Sequence, residues 1–486
     1  MTGFLQTCTS TALCPPLFLH YLFRYNIGMN ILHIDTRSSD AVQLIRQLRK
    51  KLSLQGDIIS ESSRQRTIDT FGEPLTPRQV VNVICNDVET KGLSALLEYS
   101  KKIDGWKETA DGRRQTAADM RVPLEELQSA AKNADQNLLA TVQRVRQNVR
   151  EFQEAILHKS VHLKRLGGYL EQRYRPLRRI GICVPGGAAA YPSTVLMTAV
   201  PAQVAGVKEI ALMAPPTPFG AYNTDMLAVC YELGITEIYR MGGAQGVAAL
   251  AYGVEGIPQV DKIVGPGNQY VALAKQKVFG TVDIDSIAGP SEVVVIVDET
   301  THPVYTAYDM LAQAEHSPGA SILIGWDQSV LESAERAMEE QIGKVERGAL
   351  ALQSLESYGA VILTQDADEA CRLTDDIAPE HLHIATANAE ELADKISFAG
   401  AMFLGNHTPV AVGDYAAGPS HVLPTSGTAR FASGLTCNDF LRANSILHFD
   451  RIGLENLATD IETLATKEGL TAHRESAMVR LAEPQS

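Results

Sequence analysis

The sequence lacks several patterns that mark common classes of protein. Its seven cysteines include no C-x-x-C pair, so we expect free thiols in a reducing compartment such as the cytoplasm. No stretch reaches the roughly 18 uninterrupted apolar residues that a membrane-spanning helix needs. Lysines and arginines form no dense run and the net charge is −14, which argues against a surface that binds DNA or RNA. We therefore expect neither a membrane nor a nucleic acid as partner.

The first 28 residues differ from the rest of the chain. Residues 1–28 are rich in aromatic side chains, and Arg24 is their one Lys, Arg, Asp or Glu. A secretory signal would carry a basic segment before its apolar core, and none is present. Met29 then opens a conventional start. We expect residues 1–28 to be a disordered tail or a mis-assigned start, with a targeting role as the alternative.

The chain has 486 residues, which is enough for roughly three domains. Two hydrophobic patterns follow residue 28. From residue 40 to about 162, apolar residues recur three and four apart, which predicts amphipathic helices, one starting at Thr76 and Pro77. From about Tyr174, short apolar runs such as IGICV alternate with helical stretches, and this alternation returns after EVVVIVD. It predicts parallel sheets covered by helices. Residues 452–481 are helical again.

Three glycine-containing turns follow short predicted strands, at 185–188, 242–245 and 265–268. The G-x-G-x-x-G fingerprint of dinucleotide-binding folds is absent. A single such turn is more often purely structural. The second and third turns, however, end in the amides Gln245 and Asn268, and ligands of open α/β sheets gather at the carboxyl ends of strands. Three such turns together favour a nucleotide-binding crevice.

Two polar side chains at the end of a predicted helix are candidates for metal binding. Gln313 and His316 lie three residues apart and so share one helix face. An amide oxygen and a neutral imidazole can both bind a divalent metal. A merely polar helix end is the alternative interpretation.

The segment APEHLH offers two bases of different strength. Glu380 stands beside His381, and such a pair suits the removal of two different protons. The HExxH spacing of zinc proteases is absent. In an extended segment we expect His381 and His383 to point to opposite faces, and a surface histidine pair is the alternative.

Four further residues are candidates only in combination: Asp414, His421, Glu468 and His473. Each by itself is typical of loop capping or of a helix end. Two histidines, one glutamine and one aspartate could nevertheless complete a mixed nitrogen and oxygen metal site if the fold brings them together.

Over roughly residues 67–480, the chain resembles the histidinol dehydrogenase family. The resemblance is carried by ordered blocks: RRIGICVPGG, PSTVLM, MGGAQGVAALAYG, DKIVGPGN, AGPSEV, LAQAEHSP, APEHL, GDYAAGPSHVLPTSGTARF and EGLTAHRESA. It implies a zinc-containing, NAD-dependent oxidoreductase that converts L-histidinol to L-histidine through L-histidinal, the last steps of histidine biosynthesis. It also implies a homodimer with shared active sites.

The resemblance assigns roles to the candidate residues. It implies these zinc ligands: Gln313, His316, Asp414 and His473. It implies that Glu380 and His381 are the proton acceptors. Further substrate contacts, beside His381 and the zinc ligands, are Ser291, His421 and Glu468. Cofactor contacts are Gln245 and Asn268, whereas Cys183 stands where some members have a tyrosine that contacts NAD, so the aromatic surface is missing there.

Two other functions are weighed against this one. A paralogue could oxidise another alcohol, such as a sulfonated propanediol, with the same zinc and NAD, although Glu468 together with the four ligands favours an imidazole substrate. A non-catalytic, zinc-stabilised binding protein would leave the paired bases of APEHL without a purpose.

The resemblance also completes the predicted architecture. We predict an α/β protein with two Rossmann-like parallel-sheet domains, N-terminal helices and a small C-terminal helical segment. A discontinuous α/β domain is expected over 29–172 and 291–440, a Rossmann-like NAD-binding domain over 173–290, and a helical dimerisation segment over 441–486.

Overall fold

The computed structural model describes residues 29–52, 61–107, 113, 115–187, 189–287, 289–316 and 318–482. The tail expected over residues 1–28 lies outside the described residues, and so does Ala188 of the first glycine turn. No helix in the described part of the chain is both long and apolar enough to span a membrane.

Strands and helices alternate through most of the described chain. The strands are β1 (Leu32–Asp35), β2 (Val161–Arg165), β3 (Gly168–Pro176), β4 (Arg179–Cys183), β5 (Glu209–Ala214), β6 (Glu237–Arg240), β7 (Lys262–Val264), β8 (Asp283–Ile284), β9 (Ser291–Val297), β10 (Gly319–Gly325), β11 (Ala360–Leu363), β12 (His381–Ala385), β13 (Ala401–Leu404) and β14 (Leu441–Phe449). The helices are α1 (Ala41–Leu52), α2 (Glu61–Phe71), α3 (Pro77–Lys91), α4 (Leu93–Ile103), α5 (Ala117–Met120), α6 (Leu124–Asn133), α7 (Gln136–Ile156), α8 (Pro192–Ala205), α9 (Thr224–Glu232), α10 (Gly243–Tyr252), α11 (Gln269–Val278), α12 (Pro303–Ala314), α13 (Gln328–Ile342), α14 (Gly348–Tyr358), α15 (Ala367–Ile377), α16 (Ala389–Ala393), α17 (Val410–Tyr415), α18 (Arg451–Lys467) and α19 (Thr471–Ala482).

The first of two compact units contains a parallel sheet ordered β1-β11-β10-β9-β12-β13. It comprises the described residues within 29–52, 290–410 and 426–430. Its central strand β9 reads SEVVVIV and is buried from its second residue onward. Such an uninterrupted β-branched run is typical of a strand covered on both faces. Val293 and Val295 accordingly pack towards α12 and α13, and Val294 and Ile296 pack in the core that contains α1 and α15.

The second unit contains a parallel sheet ordered β6-β5-β4-β7-β8. It comprises the described residues within 61–289, 411–425 and 431–482. Helices α8 and α9 share one core with Ile180 and Ile182 of β4. Helices α3, α4, α10 and α11 share the other core. The predicted helix start is confirmed, since Thr76 caps α3 in a capping box with Gln79 and Pro77 is the first helical residue. The predicted α/β class with parallel sheets is confirmed as well.

An antiparallel sheet ordered β14-β3-β2 was not predicted. Strand β2 is exposed along its whole length, and β3 and β14 are only partly covered. The three strands therefore lack the apolar runs by which the buried strands were recognised. The predicted helical pattern also extended too far, because α7 ends at Ile156.

The compact units do not coincide with the predicted domains. The helices from α3 to α7 belong to the unit of the five-stranded sheet, whereas the prediction joined residues 29–172 to 291–440. The reason is packing: α3 buries Val81 and Ile84 against α10 and α11. Residues 441–486 belong to the same unit, because β14 pairs with β3 along its full length.

Candidate active site

Glu380 and His381 lie at the amino end of β12, directly beside β9. Helix α15 ends at Ile377, and Ala378 adopts a left-handed conformation with φ of 51° that turns the chain into the strand. The two side chains are 6% and 3% exposed, respectively. The alternative interpretation, a surface histidine pair, is therefore wrong for this segment.

The Glu380 carboxyl is held by two donors from the start of β9. Its Oε2 accepts hydrogen bonds from Ser291 Oγ at 2.5 Å and from the Glu292 backbone N–H at 2.9 Å. Hydrogen bonds of this kind favour the ionised form of a carboxyl and orient it. Ser291, which the family resemblance implies as a substrate contact, thus orients one of the two predicted bases.

The His381 ring is oriented through its Nδ1. That atom lies 3.2 Å from the Glu292 carbonyl oxygen and 3.6 Å from Glu380 Oε2. A carbonyl oxygen can only accept, so Nδ1 carries the proton in this contact. The neutral imidazole then holds its lone pair on Nε2, which is the nitrogen suited to act as a base.

His383 does not point away from His381. Leu382 and Ile384 face one core of the unit, so His381 and His383 share the opposite face of β12. The expectation of opposite faces was wrong because side chains alternate along a strand, and residues two apart lie on the same face. His383 is 1% exposed; its Nδ1 lies 2.9 Å from Asp309 Oδ2 and its Nε2 lies 3.0 Å from the Gly405 carbonyl oxygen.

This arrangement favours a charged His383. Burial opposes the imidazolium, but the Asp309 carboxylate and the Gly405 carbonyl outweigh it, and the pKa of His383 is raised above its ordinary value. His383 is thus an ion-pair partner of helix α12 rather than a base.

Glu292 was missed by the sequence reasoning. Its side chain is 1% exposed, and its Oε1 accepts from the Ser426 backbone N–H at 3.0 Å. Burial and then the charge of Glu380 raise the pKa of Glu292 to about 8, although the backbone N–H groups of Gly427, Ser426 and Glu380 oppose this. A carboxyl at the start of an otherwise apolar strand was the signal that could have identified it.

Gln313 and His316 lie where α12 ends. Gln313 is 3% exposed, and its Nε2 has no hydrogen-bond partner among the residues that the structure describes. His316 follows the helix and is exposed. An unpartnered amide in a buried position is uncommon in a folded protein, because an unmade hydrogen bond there costs about 1–3 kcal/mol. Gln313 is therefore a side chain that can take up a ligand.

The other predicted zinc and substrate residues belong to the second unit. Asp414 lies in α17, and its backbone carbonyl accepts from His421 Nδ1 at 2.9 Å; both residues are partly exposed. Glu468 directly follows α18 and His473 lies in the first turn of α19, and both are exposed. Within the described part of this single chain, no three or more His, Cys, Asp or Glu residues form a group that could hold a metal ion.

The turn at 265–268 is held by a buried ion pair. Gly265 has φ of +101°, and a Cβ there would lie 2.3 Å from the Cys183 carbonyl oxygen, so only glycine fits. Its N–H donates to Asp285 Oδ2 at 2.6 Å, and its carbonyl accepts from Lys275 Nζ at 3.1 Å. Lys275 and Asp285 also pair with each other, at 2% and 3% side-chain exposure. Neither residue was identified from the sequence.

The turn at 242–245 is held in a similar way by Asp104. This carboxyl accepts from the Gly242 N–H at 2.9 Å and from Gln245 Nε2 at 3.0 Å. Burial raises the pKa of Asp104 to about 6 in spite of these two donors. Gln245 is fully buried, and its Oε1 has no partner among the described residues.

The two remaining predicted cofactor contacts differ in accessibility. Asn268 is exposed and caps α11, its Oδ1 accepting from the N–H groups of Tyr270 and Val271 at 3.0 and 3.1 Å. Cys183 is 1% exposed, and burial raises the pKa of its thiol to about 12. The Cys183 side chain is thus an inert part of the core, and a contact with a cofactor there stays a prediction.

Comparisons with known proteins identify the family of this chain. The family model described as histidinol dehydrogenase matches residues 73–481. A histidinol dehydrogenase of Rhodopirellula baltica is 58% identical over 447 residues, which cover 92% of this chain and 96% of that protein. One of Neisseria meningitidis is 44% identical over 435 residues, covering 89% and 100%. The crystal structure of histidinol dehydrogenase from Elizabethkingia anophelis is similar with a TM-score of 0.82 at 32% identity, covering 94% of this chain and 99% of that one. The chain therefore belongs to the histidinol dehydrogenase family.

Proposed function

We propose that this chain is a zinc-containing, NAD-dependent histidinol dehydrogenase. It oxidises L-histidinol to L-histidinal and then to L-histidine. The observation that carries the proposal is the buried pair Glu380 and His381, with Nδ1 of His381 directed at a carbonyl and Glu380 held by two donors. Such a pair supplies two oriented bases, which a binding protein would not need.

The donor set suits zinc. We propose Gln313, His316, Asp414 and His473 as ligands, a mixture of imidazole nitrogens and amide and carboxylate oxygens that zinc accepts. Zinc would bind the Oε1 atom of Gln313, whereas its buried, unpartnered Nε2 is a donor that can hold an acceptor group of the substrate. When bound, zinc would supply a template that orients the imidazole and amino nitrogens of histidinol.

The first oxidation removes one proton and one hydride from the alcohol. His381 takes the hydroxyl proton on Nε2, because its Nδ1 proton is engaged by the Glu292 carbonyl. The resulting imidazolium stays adjacent to the Glu380 carboxylate, whose charge stabilises it. NAD⁺ supplies the hydride acceptor in both oxidations.

The second oxidation needs water. Glu380 together with His381 removes a proton from water as it adds to the aldehyde, and the hydrate so formed would lose its hydride to a second NAD⁺. The Glu380 carboxyl keeps its orientation through Ser291 and Glu292 during both steps. In the net reaction, one histidinol, two NAD⁺ and one water give one histidine, two NADH and three protons.

The remaining contacts are assigned as follows. We propose that the substrate is bound by Ser291, Gln313, His316, His381, Asp414, His421, Glu468 and His473. Glu468 suits the cationic or hydrogen-bonding end of the substrate. NAD would contact Gln245 and Asn268, with Cys183 contributing only backbone at the end of β4.

We further propose a cytoplasmic homodimer in which Glu468 and His473 serve the neighbouring subunit. Both side chains are exposed in the single chain, and apolar side chains beside them are exposed as well, including Leu464 and Leu470. The cysteines of the described residues are unpaired, as expected for a reducing compartment.

The experiment is product analysis. The purified protein is incubated with L-histidinol and NAD⁺, and histidine and NADH are quantified by mass spectrometry and absorbance. We expect two NADH for each histidine, and loss of turnover after treatment with a chelator that is restored by Zn²⁺. NADH formation from another alcohol, such as sulfopropanediol, without histidine formation from histidinol would overturn the proposal.

A further inference from the structure

Glu292 contacts both proposed bases through its backbone. Its N–H donates to Glu380 Oε2 at 2.9 Å, and its carbonyl oxygen lies 3.2 Å from His381 Nδ1. Any movement of this one residue along β9 therefore changes the orientation of the carboxylate and of the imidazole together.

The side chain of Glu292 has a second set of contacts. It accepts the backbone N–H of Ser426 at 3.0 Å, and the backbone N–H groups of Gly427 and Glu380 also lower its pKa. Ser426 and Gly427 are both left-handed, with φ of 59° and 73°. A non-glycine residue is disfavoured in this conformation, so other contacts must hold the Ser426–Gly427 turn. Successive N–H groups that converge on one carboxyl provide such a contact.

We propose that Glu292 is a positioning residue for the oxidation. Its buried carboxyl anchors the Ser426–Gly427 turn to β9, and this anchorage fixes its backbone, which orients Glu380 and His381. Glu292 itself touches neither substrate nor cofactor in this role. The expected effect of Glu292 on catalysis rests on the proposed function. The attachment of the Ser426–Gly427 turn to β9 does not.

Asp298 provides a matched control at the other end of the same strand. It is 6% exposed, and its carboxyl accepts the backbone N–H groups of Thr300 at 2.9 Å and Ala387 at 3.1 Å. Asp298 and Glu292 are thus both buried carboxyls that hold loops to β9, but only Glu292 adjoins the bases. A purely structural role predicts similar effects for both.

The experiment compares E292L and E292Q with D298L and D298N in the full-length, zinc-loaded protein. We expect E292L to lower kcat for histidinol about 100-fold, with KM within about threefold, because a misplaced base affects the transition state more than binding. E292Q, which keeps one acceptor oxygen, should lose about tenfold. D298L and D298N should lower Tm about as much as the Glu292 variants do, but should keep kcat within about threefold of the wild-type value.

Amide hydrogen exchange tests the anchorage directly. The amides of Ser426 and Gly427 should exchange faster in E292Q and E292L than in the wild type. In the Asp298 variants, their exchange rates should equal those of the wild type. Equal losses of kcat in the Glu292 and Asp298 variants, or unaltered exchange at 426–427 in E292Q, would overturn the proposal. If E292L does not fold, the comparison of E292Q with D298N tests the proposal. A wild-type protein that makes no histidine contradicts the proposed function alone, because the exchange measurement still tests the anchorage.

Discussion

The two parallel sheets of this protein use opposite edges for their candidate sites. In the five-stranded sheet, the glycine turns follow β4, β6 and β7, at the carboxyl ends of the strands and at the starts of α10 and α11. In the six-stranded sheet, Ser291 and His381 lie at the amino ends of β9 and β12. Gln313 lies in the last turn of α12, and Glu380 follows three residues after α15 ends.

This difference has an electrostatic meaning. Helix starts carry unpaired N–H groups and partial positive charge, which suit the phosphates of a dinucleotide. Helix ends carry unpaired carbonyls and partial negative charge, which suit a metal cation and a protonated imidazole. We therefore propose that the same sheet architecture provides an anion-binding edge in one unit and a cation-binding edge in the other. Under this proposal, the general rule that α/β sheets bind ligands at the carboxyl ends of their strands holds for the five-stranded sheet only.

The largest effect is expected at the amino edge of the six-stranded sheet. The variant H381N should lower kcat about 1000-fold, because it removes the base proposed to take the hydroxyl proton. Zinc content, measured by mass spectrometry, and NADH affinity, measured by fluorescence, should be unchanged. Loss of NADH binding in this variant would contradict the division of roles between the two edges.

The next largest effect concerns the carboxyl edge of the five-stranded sheet. The variant K275M leaves the buried Asp285 without its partner and should lower the free energy of unfolding by about 3 kcal/mol. Urea denaturation measures this loss. The control K395M removes an exposed lysine and should leave unfolding unchanged. A K275M protein as stable as the control would show that the ion pair does not hold the 265–268 turn.

A smaller effect is expected for the neighbouring turn. The variant D104N removes one charged acceptor for the Gly242 N–H and the Gln245 amide, and should raise KM for NAD about tenfold. KM for histidinol should change little, because Asp104 belongs to the anion-binding edge. Steady-state kinetics with each substrate varied in turn would separate the two constants, and an equal rise in both would count against the assignment.

The pKa of Asp104 adds a dependence on pH. A carboxyl whose folded-state pKa is raised to about 6 keeps its proton longer in the folded state. Folding therefore loses stability from this group as pH rises from about 4 to about 6. D104N should make the measured decline in unfolding free energy over this range shallower.

The smallest effect is expected for His383. A raised pKa means that the folded state favours the imidazolium, so its stabilisation is present below about pH 6.5 and is lost as pH rises through the folded-state pKa. The variants H383Q and D309N should both flatten this alkaline decline in unfolding free energy. Unchanged slopes in both variants would contradict a charged pair between β12 and α12.

The residues that sequence reasoning identified and those it missed differ in one respect. Gln313 and His316, or Glu380 and His381, stand within a few residues of each other, so local spacing suggested their chemistry. Asp104 and Glu292 act on turns 138 and 134 residues away. No periodicity or motif connects positions so far apart, and only chain folding brings the carboxyl to the N–H groups that it holds.

Local patterns determined the helices and the buried strands of this protein, because an apolar residue every second or every third to fourth position suits one backbone geometry. Tertiary structure alone decided that Ser291 and His381 lie at the amino edge of the six-stranded sheet, and which carboxyls are buried beside them. Hydrogen bonding and desolvation depend on which groups are close in space. The groups that hydrogen-bond to Glu292 of β9 belong to segments about 90 and 130 residues further along the chain.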